Sequence, residues 1–292
     1  MTTTARFGNR VIGHDQPCFV IAEIGINHNG DLALAKKLIA AAATASCDAV
    51  KFQKRTVDVV YTKDELAKPR PNPFGETNGD LKRGLELGRD AYQEIDECCR
   101  MHGLQWTASC WDEGSVDFME AFQPPFYKIA SASLTDDGLL KRHKATGRPI
   151  VLSTGMSTVE EIDHAVEILG KDNLVILHCT STYPSATSEL NLRCIETYRK
   201  RYGVPVGYSG HETGLATTIA AVSLGACVVE RHITMDRAMW GSDQAASVEP
   251  HGISRLVRDI RAIEGALGDG VKRVYDSEVA VMKKLRRVGL KA

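Results

Sequence analysis

CVVERHITMD, residues 227–236, begins as a strand buried on both faces: Cys227, Val228 and Val229 are small or β-branched and apolar. It then turns polar at Glu230, Arg231 and His232. An apolar run that ends in charge or hydroxyl recurs along the chain. VGYSGHETG (206–214) leads to Ser209 and His211, and LVILHCTS (174–181) ends in His178, Thr180 and Ser181. Working outward, the series is CFVIAEIG (18–25), AVKFQ (49–53), LQWTASC (104–110), FYKIAS (126–131) and PIVLSTG (149–155), then 174–181, 205–210 and 227–234. Helical patterns lie between the runs, among them DLALAKKLIAAAATAS after a capping Asp31, TVEEIDHAVEILG and GLATTIAAVSLG. A last one, ISRLVRDIRAIEGALG, follows the eighth run. Eight strand–helix alternations in about 270 residues match an α/β chain of the (β/α)8 TIM-barrel class. An open doubly wound sheet is the alternative.

ARFGNRVIGHDQP (5–17) reads as a β-hairpin turning at Gly8–Asn9, placed to plug the N-terminal mouth of the barrel. The expected organisation is a single barrel domain, with the hairpin in 1–17, the barrel in 18–270 and a C-terminal extension in 271–292. Residues 54–89, with KPRPNPFGETNG, read as an irregular stretch too long for an ordinary connection, the length of a lid or binding loop.

Composition narrows the partners. Lys plus Arg number 36 against 37 Asp plus Glu, a net charge of −1, so nothing advertises a nucleic-acid or anionic-membrane partner. The apolar runs are too short to span a bilayer, and MTTTARFGNR lacks the apolar stretch of a secretory signal. Eight scattered cysteines without a C-x-x-C pair read as core residues in a reducing compartment, which points to the cytoplasm.

In a parallel barrel the polar strand ends meet at the catalytic mouth. Collected there are Glu23, Asn27 and His28; Lys51 and Gln53; Lys128, Ser131 and Ser133; Ser153 and Thr154; His178, Thr180, Ser181 and Tyr183; Ser209 and His211; and Glu230, Arg231 and His232. Two lysines among hydroxyls make an oxyanion cradle for a phosphate or carboxylate, the alternative being stems that snorkel to solvent. His211 and His232 end adjacent strands and suit a divalent cation with open positions, where a lone histidine would be a hydrogen-bonded core residue. Glu23 either orients a water or substrate, or pairs with Lys51 or Lys128. Asp243 and Gln244, in the loop after strand eight, carry a weak signal for reading sugar hydroxyls.

FVIAEIGINHNGDLALAKKLI, AVKFQK, LHCTSTYP, GYSGHETG and ERHITMDRAMWGSDQAASVEP together resemble the sialic acid synthase family over about residues 15–288. The resemblance implies a TIM barrel that condenses phosphoenolpyruvate with an open-chain sugar aldehyde to a 2-keto-3-deoxy sugar acid. It implies that His211 and His232 bind Mn2+ or Mg2+, and that Lys51, Lys128, Ser131, Ser153, Ser181 and Ser209 hold phosphoenolpyruvate. Glu23, Gln53, Tyr183 and Asp243 match positions around the acceptor and the reacting carbons, with Glu23, Lys51, Lys128 and Asp243 as the catalytic set. Ser133 stands where several bacterial members carry a sugar-contacting Glu. In GETNGDLKRGLEL and GSDQAASVEP the chain is similar to members that use sugar 6-phosphates, and Lys82 or Arg83 would meet a remote phosphate unless they only start a solvated helix. The family forms homodimers and continues past a segment like LRRVGL into an antifreeze-like domain. That implies a homodimer here, and either a separate antifreeze-like polypeptide as a partner or an active site that manages without that domain. A Schiff-base aldolase using Lys51 or Lys128, and a non-catalytic sugar-phosphate-binding paralogue, are the competing readings.

Overall fold

The computed structural model describes residues 4–289. Eight parallel strands form one sheet: β1 Phe19–Gly25, β2 Ala49–Lys54, β3 Gln105–Cys110, β4 Tyr127–Ile129, β5 Ile150–Ser153, β6 Leu174–Cys179, β7 Val206–Gly210 and β8 Val228–His232. The ladder runs β3-β2-β1-β8-β7-β6-β5-β4, so first and last strands pair and the sheet curls into a nearly closed barrel. Between β3 and β4 no ladder forms, and Thr107 Oγ1 donates to the Phe126 carbonyl at 2.7 Å across that seam. An open doubly wound sheet would keep its first strand from pairing with its eighth, and is excluded.

A helix of the outer ring follows each strand, after three shorter helices in the case of β2: α1 Leu32–Thr44, α2 Arg89–Met101, α3 Glu113–Glu120, α4 Asp137–Ala145, α5 Val159–Leu169, α6 Cys194–Tyr202, α7 Ala216–Ser223 and α8 Pro250–Leu267. Asp31 caps α1 by accepting from the amides of Ala33 and Leu34, and Thr158 with Glu161 forms a capping box on α5. Strand residues alternate. Phe19 and Ile21 point into the tube while Val20, Ala22 and Ile24 pack against the helices, which is the larger core.

The hairpin pairs Ala5–Phe7 with Arg10–Ile12 around Gly8, whose φ of +56° needs a residue without a side chain. Phe7 stacks on Phe126 at 4.3 Å and meets the edge of Phe19 at 5.2 Å, so the hairpin does plug the N-terminal end. The 54–89 segment is not irregular. It folds as helices Val57–Val60, Lys63–Ala67 and Asn78–Gly84 with a small hairpin, Pro69–Asn72 against Gly75–Thr77. Beyond α8, helix Asp276–Leu285 buries none of its residues. The eight cysteines are unpaired and all but Cys194 are buried. Among the described residues no helix is long and apolar enough to cross a membrane.

Candidate functional site

The inward-facing ends of the strands converge on a cavity of about 200 Å³ at the C-terminal end of the barrel. Alternation decides which strand-end residues reach it. In β8 Glu230 and His232 line the cavity, whereas Arg231 turns outward, 1% exposed, and binds the Glu212 carboxylate and the Thr218 hydroxyl. His178 also faces outward, with Nε2 on the Leu190 carbonyl and its ring against Tyr198. His28 packs on Phe52, Asn27 ties down the β8 loop through Ile233 and Ser247, and the buried Gln244 bonds Thr234; these are structural residues.

Of the proposed site residues, Glu23, Lys51, Gln53, Lys128, Ser131, Ser153, Ser181, Tyr183, Ser209, His211 and His232 all line the cavity. Arg83 does not. It is half-exposed on the 78–84 helix and its guanidinium meets Asp58 at 2.5 Å, so an intramolecular carboxylate already satisfies it. Asp243 stands behind the cavity wall, with its carboxylate 3.8 Å from His232 Nδ1 and accepting from the Ser242 hydroxyl. Ser133 is buried at the start of the β4–α4 connection, outside the lining.

The floor is a chain of buried charges. Lys51 Nζ lies 2.7 Å from Glu23, donates to Ser109 Oγ at 2.8 Å and is 4.0 Å from Glu230. Lys128 Nζ reaches Glu230 at 3.2 Å, and Ser209 Oγ donates to the same oxygen at 3.1 Å. The lysine side chains are only 4% exposed, which rules out snorkelling to solvent. Sequence reasoning collected Glu230 but gave it no role, and missed Ser109, Trp111 and Met156 in the lining.

Burial is the largest influence on each of these carboxyls and favours the neutral form. For Glu230 the attraction of Lys128 and Lys51 overcomes it and holds the carboxyl at about 2. For Glu23 burial wins over Lys51, helped by the charge of Glu230, and the carboxyl rises to about 7. Lys51 is also buried, yet Glu23 and Glu230 raise it, so it keeps its proton and Glu23 is the group that titrates near neutrality.

On one wall Ser131 Oγ accepts from the Gly155 amide at 3.0 Å. A Cβ on Gly155 would sit 2.1 Å from Ser181 Oγ and 2.9 Å from Ser131 Oγ, so only glycine leaves this cradle open. Ser153 Oγ is buried there without a partner. On the other wall the rings of His211 and His232 lie 5.5 Å apart, with Tyr183 4.2 Å from His211. Burial lowers both histidines, His232 to about 3, so both are neutral imidazoles. His211 Nδ1 donates to the Thr180 carbonyl at 2.8 Å, which leaves the Nε2 lone pair free. His232 Nδ1 is buried with no hydrogen-bond partner. Among the described residues no group of three or more His, Cys, Asp or Glu converges as a cation site.

A sequence profile of the NeuB family matches residues 38–272. The chain belongs to the NeuB family. It is 40% identical to the human N-acetylneuraminate-9-phosphate synthase over 281 residues, covering 94% of this chain and 78% of that protein. It is 36% identical to the N,N'-diacetyllegionaminic acid synthase of Legionella pneumophila, over 94% of this chain and 80% of the other. A crystal structure of the N-acetylneuraminic acid synthetase of Leptospira borgpetersenii, in complex with citrate, superposes with a TM-score of 0.86 at 30% identity, over 99% of both chains. These three relatives of the NeuB-family chain are synthases of sialic acid and related sugar acids.

Proposed function

We propose that the protein condenses phosphoenolpyruvate with the aldehyde of an open-chain aldose, N-acetylmannosamine or a relative, to a 2-keto-3-deoxy sugar acid with release of phosphate. The observation that carries the reading is the anion cradle. Two buried lysines face Ser131, Ser181 and the partnerless Ser153 hydroxyl across the cavity, and a Cβ on Gly155 would press on the Ser131 and Ser181 hydroxyls. Lysine charge and small hydroxyl donors suit a ligand with both phosphate and carboxylate.

The C3 carbon of phosphoenolpyruvate attacks the aldehyde carbon, forming the new C–C bond while the aldehyde oxygen gains a proton. Water adds to C2, and the resulting phosphohemiketal expels phosphate by cleavage of the C2–O bond. Lys51 and Lys128 neutralise the anion throughout. Glu23, at about 7, takes a proton from the attacking water and returns it to the new hydroxyl. Gln53 and Tyr183 line the side where the acceptor enters, with Asp243 behind His232. His211 and His232, neutral and each with an available nitrogen, fit as two ligands of a divalent metal, manganese or magnesium, which when bound would polarise the aldehyde as a Lewis acid.

A Schiff-base aldolase is disfavoured for Lys51, because a lysine that keeps its proton between two glutamates is a poor nucleophile. The unpaired thiols packed in the core suit a cytoplasmic setting. The deciding experiment uses phosphoenolpyruvate with a heavy-oxygen label in the bridging position. Label in the released phosphate supports C–O cleavage, and label in the keto acid refutes it. Binding of phosphoenolpyruvate with no turnover of any aldose would instead favour the non-catalytic reading.

A further inference from the structure

His211 and His232 end neighbouring strands, and each is joined in the chain to one half of a buried ion pair. Glu212 follows His211, and Arg231 precedes His232. Arg231 points to the helix side of the barrel wall while His232 points into the cavity, as alternation along β8 requires. Glu212 meets it there, with Arg231 Nη1 3.2 Å from Glu212 Oε1 and both residues 1% exposed. Neither lines the catalytic cavity. The ion pair therefore bridges β7 and β8 behind the two imidazoles.

The guanidinium does more than neutralise a carboxylate. Its Nη2 donates to the Glu212 carbonyl at 2.6 Å. Its Nη1 donates to the Gly214 carbonyl at 2.9 Å and to the Thr218 hydroxyl at 2.8 Å. Arg231 thus grips the backbone just beyond His211, on the loop from β7 to α7. The Glu212 carboxylate accepts from the hydroxyls of Tyr208, Thr217 and Thr218, which ties it to β7 before the histidine and to α7 after it. Gly210 leaves the room for this: a Cβ there would lie 2.7 Å from Glu212 Oε2 and 3.0 Å from Arg231 Cδ. The ring of His232 needs such support, since its Nδ1 has no hydrogen-bond partner and Asp243 stands 3.8 Å away.

A buried ion pair adds little net stability over apolar packing of the same volume, whereas a fork that holds two carbonyls and a carboxylate fixes one geometry. Resting on the reading of His211 and His232 as two ligands of a divalent metal, we propose that Arg231 and Glu212 are positioning residues for that metal. Their ion pair clamps the loop after β7 to β8, so that two imidazoles with ring centres 5.5 Å apart reach one cation together. Groups that orient a metal ligand without touching the metal set its affinity by about ten- to a hundredfold.

The test is titration of the full metal-free chain with Mn2+, followed by electron paramagnetic resonance, beside calorimetric titration with phosphoenolpyruvate. Glu212→Gln removes the charge and keeps the shape. Glu212→Gln combined with Arg231→Met removes the pair without stranding a buried charge, and thermal melts establish that the variants are folded. Either variant should bind Mn2+ about tenfold or more weakly. At saturating Mn2+, pulsed spectra should show nitrogen couplings from two imidazoles in the wild type and from one in the variants. Phosphoenolpyruvate affinity should stay at the wild-type value, because Lys51, Lys128 and Ser153 stand on β2, β4 and β5. Unchanged Mn2+ affinity with both couplings kept, or an equal loss of both ligands by a folded variant, overturns the inference and leaves the synthase reading standing. Mn2+ binding that neither His211→Ala nor His232→Ala weakens removes the metal assignment, and the inference with it.

Discussion

Replacing Glu230 by glutamine changes one charge and almost no volume at the centre of the cavity floor. Glu230 is the carboxylate shared by Lys128 at 3.2 Å and Lys51 at 4.0 Å, with Ser209 donating to it as well. With an effective dielectric constant of about 20 these two attractions are worth roughly 5 and 4 kcal/mol. Desolvation has already offset part of that, so removing the charge from a buried pair costs about 3–5 kcal/mol. Lys51 retains Glu23, but Lys128 is left without a carboxylate. For a domain of this size about 2–3 °C accompanies each kcal/mol, so Glu230→Gln should melt roughly 6–15 °C below the wild type at pH 7. The same reasoning gives the sign of the ligand effect. An incoming phosphate or carboxylate restores the missing negative charge, so saturating phosphoenolpyruvate should raise the melting temperature of the variant more than that of the wild type. Calorimetric or circular-dichroism melts with and without phosphoenolpyruvate measure both. A variant that melts within about 2 °C of the wild type, with no larger ligand shift, would refute the claim that Glu230 is the internal counter-ion of the lysines.

Gly155→Ala should fold, because Ser181 can rotate aside, but the rotation removes a donor from the cradle; the KM for phosphoenolpyruvate should rise at least about tenfold, read by phosphate release. Glu23, raised to about 7, is largely ionised at pH 8 and should take up a proton when an anion binds beside it; titrations in buffers of differing ionisation enthalpy would detect this, and Glu23→Gln should abolish it. At pH 5 the carboxyl is already protonated, so uptake should vanish there in the wild type. His211→Ala and His232→Ala should each weaken Mn2+ binding measured by electron paramagnetic resonance, and unchanged binding in both would remove the metal assignment. Arg83→Ala, which loses only an exposed pair with Asp58, should change stability by less than about 1 kcal/mol and leave the KM values alone.

The repeat of apolar runs with polar ends made the barrel legible, because burial on both faces and a catalytic mouth are properties of short stretches. Face assignment was legible too, from the period of two: once Glu230 points inward, Arg231 must point out and His232 in. Treating every polar strand end as a mouth residue is what placed His178 and Arg231 wrongly. Arg83 failed for a different reason. Its partner Asp58 is 25 positions earlier, brought near by the fold of the 54–89 insertion, and no local pattern reports such a meeting. The insertion itself left signals that composition obscured: Thr62 and Thr77, each three residues before an acid, are helix caps. Glu230 was visible, but its function as shared counter-ion depends on two distances between strands far apart in sequence.

The aromatic plug of Phe7, Phe19 and Phe126 gives the barrel a blind end. On the synthase reading, both organic reactants and both products must therefore share a single doorway. Whatever lies deepest, on the lysine floor, has to enter before the molecule that covers it, and whatever is left on that floor after reaction leaves last. The architecture of the closed end thus dictates an order of traffic at the open one, through residues more than a hundred positions away from any histidine at the mouth in the case of Phe7 and His211.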